Sequence, residues 1–224
     1  MSSVLFFIWY NLGMSKLTKE NRMKVCELLL NEYPQAKCAL DYDTEYHLLV
    51  AVMLSAQTTD VGVNKVTPRL FELAPDAFAM CKLSQEELED LIRKIGLYKN
   101  KAKNILAMSR VLCDDYDGKV PGEYDKLIAL PGVGRKTANV VLAEAFGQQR
   151  IAVDTHVFRL ANRIGFTAEK DVLSTEEALM KAIPKDKWVL MHHALIFHGR
   201  NCCTARNPKC SECCIAEYCR RNGM

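Results

Sequence analysis

Signals for β-strand are nearly absent from this 224-residue chain, and so is any long apolar run. The apolar run near the start, Val4–Tyr10, is far too short to span a bilayer. It lacks the basic n-region and small-residue cleavage site of a secretory leader. A start at Met14, a cytoplasmic setting, no membrane partner and reduced cysteines are the expectations. Strong charge is also missing. The 30 basic and 27 acidic residues leave a formal +3, too little to establish a nucleic-acid partner, so any basic footprint must be local. No composition shift marks a linker, and no internal repeat or low-complexity tract breaks the chain. At 49% apolar and 25% charged the composition is that of an ordinary globular protein, long enough for one large domain or two small ones.

Helix signals fill the space that strands leave. Lys19–Tyr33 has a buried-face pattern, and His47–Leu54 is almost wholly apolar. Thr59–Leu73 reads as one helix after a Thr-Thr-Asp cap region. Ser84-Gln85-Glu86-Glu87 is a capping box with Leu83 and Leu88 as its hydrophobic staple, opening a helix that runs through Ile95 and stops at Gly96. Lys99–Tyr116 closes on the turn Asp115-Tyr116-Asp117-Gly118. Thr155–Ile164 starts behind the good N-cap Asp154, Ser174-Thr175-Glu176-Glu177 caps a helix ended at Pro184, and Lys187–Phe197 is the last long one. About ten helices and no sheet make the fold all-α.

Leu130-Pro131-Gly132-Val133-Gly134-Arg135-Lys136-Thr137-Ala138-Asn139 is the centre of the chain. Tyr124–Leu130 is a short helix that Pro131 ends, because proline lacks a donor and disfavours helix before it. Gly132 and Gly134 permit positive φ and leave the backbone bare. From Arg135 a second helix begins, and its free first-turn amides and dipole make an anion site suited to phosphate. This is a helix-hairpin-helix pattern, although glycines and a proline between helices also serve as plain connections. Arg93, Lys94, Lys99, Lys101 and Lys103 fall in eleven residues without an acid, a run that fits either a solvated helix face or DNA contact.

Ten cysteines need an explanation. Cys26, Cys38, Cys81 and Cys113 are scattered, as small core residues would be, whereas six crowd into Cys202–Cys219. Cys203, Cys210, Cys213 and Cys219 are spaced x6, x2 and x5. Four thiolates on such a loop can hold a [4Fe–4S] cluster or one Zn²⁺. The single close pair, Cys210 and Cys213, favours iron–sulfur.

Leu130–Val141, then Ile151-Ala152-Val153-Asp154-Thr155-His156-Val157, then the four spaced cysteines, closely resemble bacterial endonuclease III. That family consists of base-excision DNA glycosylases with lyase activity, and the likeness runs from about Thr44 to Cys219. It implies two lobes: a six-helix barrel over 38–148, with the helix-hairpin-helix near 122–146, and a discontinuous helical lobe of 14–37 and 149–224 carrying the cluster loop 203–219. It implies a [4Fe–4S] cluster on Cys203, Cys210, Cys213 and Cys219, with Cys203 preferred over Cys202 for its x6 spacing. The cluster would be structural, ordering a loop that carries Arg206 and Lys209 toward phosphates.

The family's catalytic lysine falls on Lys136 and its aspartate on Asp154, eighteen residues on. A lysine amine, once deprotonated, can attack the sugar's anomeric carbon and open a route to β-elimination. A carboxylate can stabilise the charge that develops on the sugar, although capping alone explains an Asp at this position. Gln57 and Leu97 match the residues that intrude into DNA: an amide for the hole left by a flipped base, and an apolar wedge. Gly132, Val133, Gly134 and Arg135 would bind backbone. The resemblance further implies a bacterial, nucleoid-associated monomer acting on duplex DNA with oxidised pyrimidines or abasic sites. A monofunctional relative is the near alternative, which Lys136 opposes. A non-catalytic iron–sulfur DNA-binding protein is the distant one, and it would not need Lys136 together with Asp154.

Overall fold

The computed structural model describes residues 15–224; the apolar run Val4–Tyr10 and the expected start at Met14 lie outside the described residues. Among these there are twelve α-helices, 3-10 turns at Lys185–Lys187 and Cys210–Glu212, and no strand. No helix of the described residues is long and apolar enough to cross a membrane. The chain divides into two compact units, one of the residues up to Lys37 with Ile151–Met224, the other Cys38–Arg150.

Helix α1 (Lys19–Glu32) belongs to the discontinuous unit and opens on Thr18, whose hydroxyl accepts from the Asn21 amide. The continuous unit is built around α2 (Glu45–Ser55), in which every residue from Tyr46 to Leu54 is buried. Such an all-round apolar helix can only be central, and the helices Asp60–Asn64, Tyr98–Tyr116 and Arg135–Glu144 of this unit pack on it.

The expected single helix over Thr59–Leu73 is two, α3 (Asp60–Asn64) and α4 (Thr67–Leu73). Pro68 sits in the first turn of α4, and its missing N–H cannot bond the Asn64 carbonyl, so the chain restarts there. Short α5 (Ala77–Met80) follows, then α6 (Gln85–Leu91), with both halves of the Ser84–Glu87 capping box formed. That helix ends a turn before Gly96, yet Ile92 and Ile95 stay buried. The left-handed residue that follows is Leu97, at φ 58°, and not the glycine.

Long α7 (Tyr98–Tyr116) packs on α5 and α6 and ends on left-handed Asp117 and Gly118. Finally α8 (Tyr124–Ile128) and α9 (Arg135–Glu144) form the hairpin, with α9 packed on α2 through Ala138, Val141 and Leu142.

Back in the discontinuous unit, Ile151, Ala152 and Val153 are buried without forming a strand, and α10 (Thr155–Ile164) follows. The next helix, α11 (Val172–Ala182), starts a turn earlier than the Ser-Thr-Glu-Glu signal suggests. Asp171 is its cap, accepting both the amide and the hydroxyl of Ser174. Helix α12 (Trp188–Asn201) continues a turn past Phe197 through Gly199, where a Cβ would stand 3.0 Å from His156 Nδ1. The helices α1, α10 and α12 share this unit's core, around Leu29, Val157, Leu160 and Leu195.

Candidate nucleic-acid interface and metal centre

The hairpin turn is anchored from below and bare above. Leu127, Leu130 and Val133 are buried under it, and the Val133 amide bonds the Leu130 carbonyl at 3.1 Å. Gly132 is left-handed (φ 76°), and a Cβ there would lie 2.7 Å from the Asn104 Cβ, so both backbone and space require glycine. Gly134 is different: its φ is ordinary and a Cβ would meet nothing within 4 Å. It caps α9 with no side-chain hydrogen bond, and the N-terminus of such a helix is suited to an anion. Arg135 and Lys136 in that turn are exposed. Two guanidinium groups approach the ring of Tyr124, that of Arg135 at 5.7 Å and that of Arg150 at 5.4 Å from its centre.

The same unit carries Gln57 and Leu97, on two loops that approach each other. Both are exposed, both are left-handed without being glycine (φ 57° and 58°), and Leu97 exposes 60% of its surface. Neighbouring Gly96 approaches the first loop so closely that a Cβ would be 3.6 Å from the Gln57 carbonyl oxygen. Left-handed backbone on a side-chain-bearing residue costs energy and is concentrated at functional sites.

One member of the basic run departs from both readings offered for it. Lys101 neither lies on a solvated face nor is free to meet DNA: it is 7% exposed, and its Nζ donates to the carbonyl oxygens of Leu54 (2.8 Å) and Ala56 (2.6 Å) and to Thr58 Oγ1 (3.1 Å). Burial pushes its pKa below the ordinary lysine value.

In the discontinuous unit Asp154 caps α10, its Oδ1 accepting from the Val157 amide at 2.8 Å. The neighbouring His156 is half-buried, its pKa pushed down chiefly by burial, and its Nδ1 faces Arg159 Nη2 at 3.3 Å. Lys136 and Asp154 thus belong to different units.

The cysteine loop is held by residues that the spacing could not reveal. Arg159 donates to the carbonyls of Gly199 and Cys203, and Arg163 to those of Thr204 and Ala205. His198 bridges Tyr33 Oη (3.0 Å, through Nδ1) and Cys213 Sγ (3.5 Å, through Nε2). Both arginines sit one turn apart on α10, an i, i+4 pair that shares one face but carries no motif.

One cavity is lined by Cys203, Cys210, Cys213 and Cys219 together, and neither Cys202 nor Cys214 lines it. Four thiolates lining one space can supply the donor set of an iron–sulfur cluster. A competing trio exists, because donor atoms of His198, Cys202 and Cys213 lie within 4.8 Å of one another. That trio leaves out three of the four spaced cysteines. Of the four upstream cysteines only Cys26 is fully in a core; Cys81 and Cys113 face each other with 3.8 Å between their sulfurs, and Cys38 is half-buried. Arg206 and Lys209 are exposed on the loop.

Residues 50–185 match the family model of the HhH-GPD superfamily base excision DNA repair proteins, and residues 203–219 match the iron-sulfur binding domain of endonuclease III. The cofactor of this segment is accordingly the [4Fe–4S] cluster that the spacing favours. Endonuclease III of Synechocystis sp. is 48% identical over 202 residues, which span 90% of this chain and 92% of that protein. A solved non-covalent endonuclease III–DNA complex superposes with a TM-score of 0.88 at 47% identity, covering 92% of this chain and 97% of its own. A trapped endonuclease III–DNA covalent intermediate, in an estranged-adenine complex, matches with the same TM-score, identity and coverage. With the fold, the hairpin and the cysteine loop all in agreement, this chain belongs to the endonuclease III family of base-excision DNA repair proteins.

Proposed function

We propose that this protein is a bifunctional DNA glycosylase and abasic-site lyase that removes oxidised pyrimidines from duplex DNA as a monomer in the bacterial cytoplasm, at the nucleoid. The observation that carries the reading is Lys136, exposed in the first turn of a helix whose N-terminal amides have no side-chain cap. A phosphate seated on those amides would bring the adjoining sugar within reach of the lysine. The Lys136 Nζ lone pair then bonds to the anomeric carbon as the bond to the base breaks, and the base leaves with that electron pair. Loss of an amine proton leaves a neutral aminal, whose nitrogen lone pair breaks the C1′–O4′ bond as O4′ takes up a proton, and the ring-opened sugar is left as an iminium. This acidifies the neighbouring C2′ proton, whose removal expels the 3′ phosphate.

Asp154 takes the role of the carboxylate that offsets positive charge on the sugar and moves protons, and its capping bond to Val157 fixes its direction. Gln57 and Leu97 enter the duplex around the extruded nucleotide. Gly132, Val133, Gly134 and Arg135 hold its backbone. Cys203, Cys210, Cys213 and Cys219 hold the [4Fe–4S] cluster, which when bound orders the loop presenting Arg206 and Lys209. The six-helix barrel is assigned to 38–148 and the cluster-bearing lobe to 14–37 with 149–224.

The test is a borohydride trap on a duplex carrying one thymine glycol. The native chain should give a covalent protein–DNA adduct on a denaturing gel, and Lys136→Gln none. Base removal by the native chain without any adduct would make it a monofunctional enzyme and remove this role from Lys136.

A further inference from the structure

Lys101 spends a buried charge on an unusual task. Placing a lysine ammonium inside a protein is costly unless all its protons are satisfied, and its three acceptors match its three N–H bonds. None of the three is a carboxylate: two are main-chain carbonyls at the end of α2 and one is a hydroxyl. The cation therefore sits at the negative end of α2 and satisfies carbonyls that a helix terminus leaves unpaired.

Those acceptors bracket Gln57, because Ala56 and Thr58 are its immediate neighbours. The same residue reaches the second loop through its backbone, where the Lys101 amide bonds the Leu97 carbonyl at 3.1 Å. One residue thus grips both of the loops whose tips are left-handed and exposed, each through a short contact. A hydrophobic residue at this position could fill the space but could hold neither carbonyl.

We infer that Lys101 is a positioning residue, which fixes Gln57 relative to Leu97 so that the two enter the duplex as one preset pair. This rests on the proposed role of Gln57 and Leu97. Its consequence is a division of labour between substrates. Extruding a damaged base requires unstacking, which a preset pair supports, whereas an abasic site has no base to unstack. A misplacement of about 1 Å at such a site can cost on the order of 100-fold in rate.

The experiment compares Lys101→Met and Lys101→Arg with Gln57→Ala, Leu97→Ala and the native holoprotein. Single-turnover base excision is measured on a thymine glycol duplex, and strand cleavage on a duplex with a preformed abasic site. 2-Aminopurine beside the lesion reports unstacking, anisotropy reports binding, and thermal melting reports the fold. Lys101→Met should slow thymine glycol excision by about 10- to 100-fold. It should bind the duplex without the 2-aminopurine rise and keep abasic cleavage within about 3-fold, far short of that loss. Lys101→Arg, which keeps a charged donor, should recover much of the loss.

Native-like excision by Lys101→Met, alongside slowed Gln57→Ala and Leu97→Ala, would overturn the positioning role alone. Native-like excision by the two tip variants would overturn the role given to the tips and the inference with it. Equal loss on both substrates with a lowered melting point would mean a purely structural lysine and would also overturn it. Should Lys101→Met not fold, Thr58→Val removes one of the three acceptors and must show the same substrate split in weaker form.

Discussion

Arg163 reaches Cys203 directly: its Nη1 lies 3.5 Å from the cysteine Sγ while also donating to the Thr204 carbonyl oxygen at 2.8 Å. A guanidinium placed this way donates toward the cysteine sulfur and pins the backbone that carries it. The same arginine side chain thus serves one proposed ligand and the loop behind it.

The ligand set can be separated by serine substitution. Cys203→Ser should abolish the visible absorbance and iron content of the purified protein, and Cys202→Ser should leave both near native levels, since only Cys203 shares the cavity with Cys210, Cys213 and Cys219. Arg163→Leu should retain the cluster but lose iron to a chelator about 10-fold faster, because removing a group that supports a metal ligand typically costs about 10- to 100-fold in affinity. The reverse pattern for the two cysteines would transfer the site to the trio of His198, Cys202 and Cys213.

The two hairpin glycines should answer differently to alanine. At Gly132 the left-handed backbone and the 2.7 Å approach to Asn104 both oppose a Cβ, so Gly132→Ala should lower stability by about 1–3 kcal/mol in denaturant unfolding. Gly134→Ala meets open space and should stay within about 1 kcal/mol of native, the range of an N-cap change. Its Cβ would stand where a phosphate is to approach, so it should weaken duplex binding while Gly132→Ala chiefly melts earlier. Titration at fixed salt separates the two, since affinity here falls with salt.

Much of this was legible because local rules wrote it. The Ser84 capping box, the Asp154 cap and the hairpin turn are short-range signals, and each formed. The break at Pro68 is a short-range signal too, but the apolar period runs through the proline and masks it. What could not be read was long-range. Lys101 looked like one more surface charge, because its acceptors lie more than forty residues away at the end of α2. Arg159, Arg163 and His198 carry no motif, and only the packing of α10 and α12 turns them toward the cysteine loop. Gln57 and Leu97 came from family likeness. The left-handed backbone they share is visible only in three dimensions.

Acid should loosen α6 through its capping box. Glu87 is held below its ordinary carboxylate value, first by the Ser84 backbone amide and then by the Ser84 hydroxyl. A depressed folded-state value means the stabilisation is present above the unfolded carboxyl pKa and is lost as pH falls through the lowered folded one. Protection from amide exchange at the start of α6, taken relative to the intrinsic rate at each pH, should therefore fall below about pH 4.5, the range in which glutamate protonates. Glu87→Gln should remove that pH dependence, and an unchanged acid profile in the variant would place its origin elsewhere.

Asp154 offers the sharpest separation of structure from chemistry, since one carboxylate is asked both to cap α10 and to serve the reaction. Asparagine caps a helix as well as aspartate does but carries no charge, so Asp154→Asn should keep the bond to the Val157 amide and melt within about 0.5 kcal/mol of native. Alanine has no capping oxygen and should cost about 1 kcal/mol. If the carboxylate moves protons and offsets charge on the sugar, both variants should lose base excision alike, by roughly 10²- to 10⁴-fold, the range of general acid–base catalysis. Activity that instead follows the melting point, retained in Asp154→Asn and reduced in Asp154→Ala, would leave Asp154 as a helix cap alone. The charge on the sugar would then have to be met by another group.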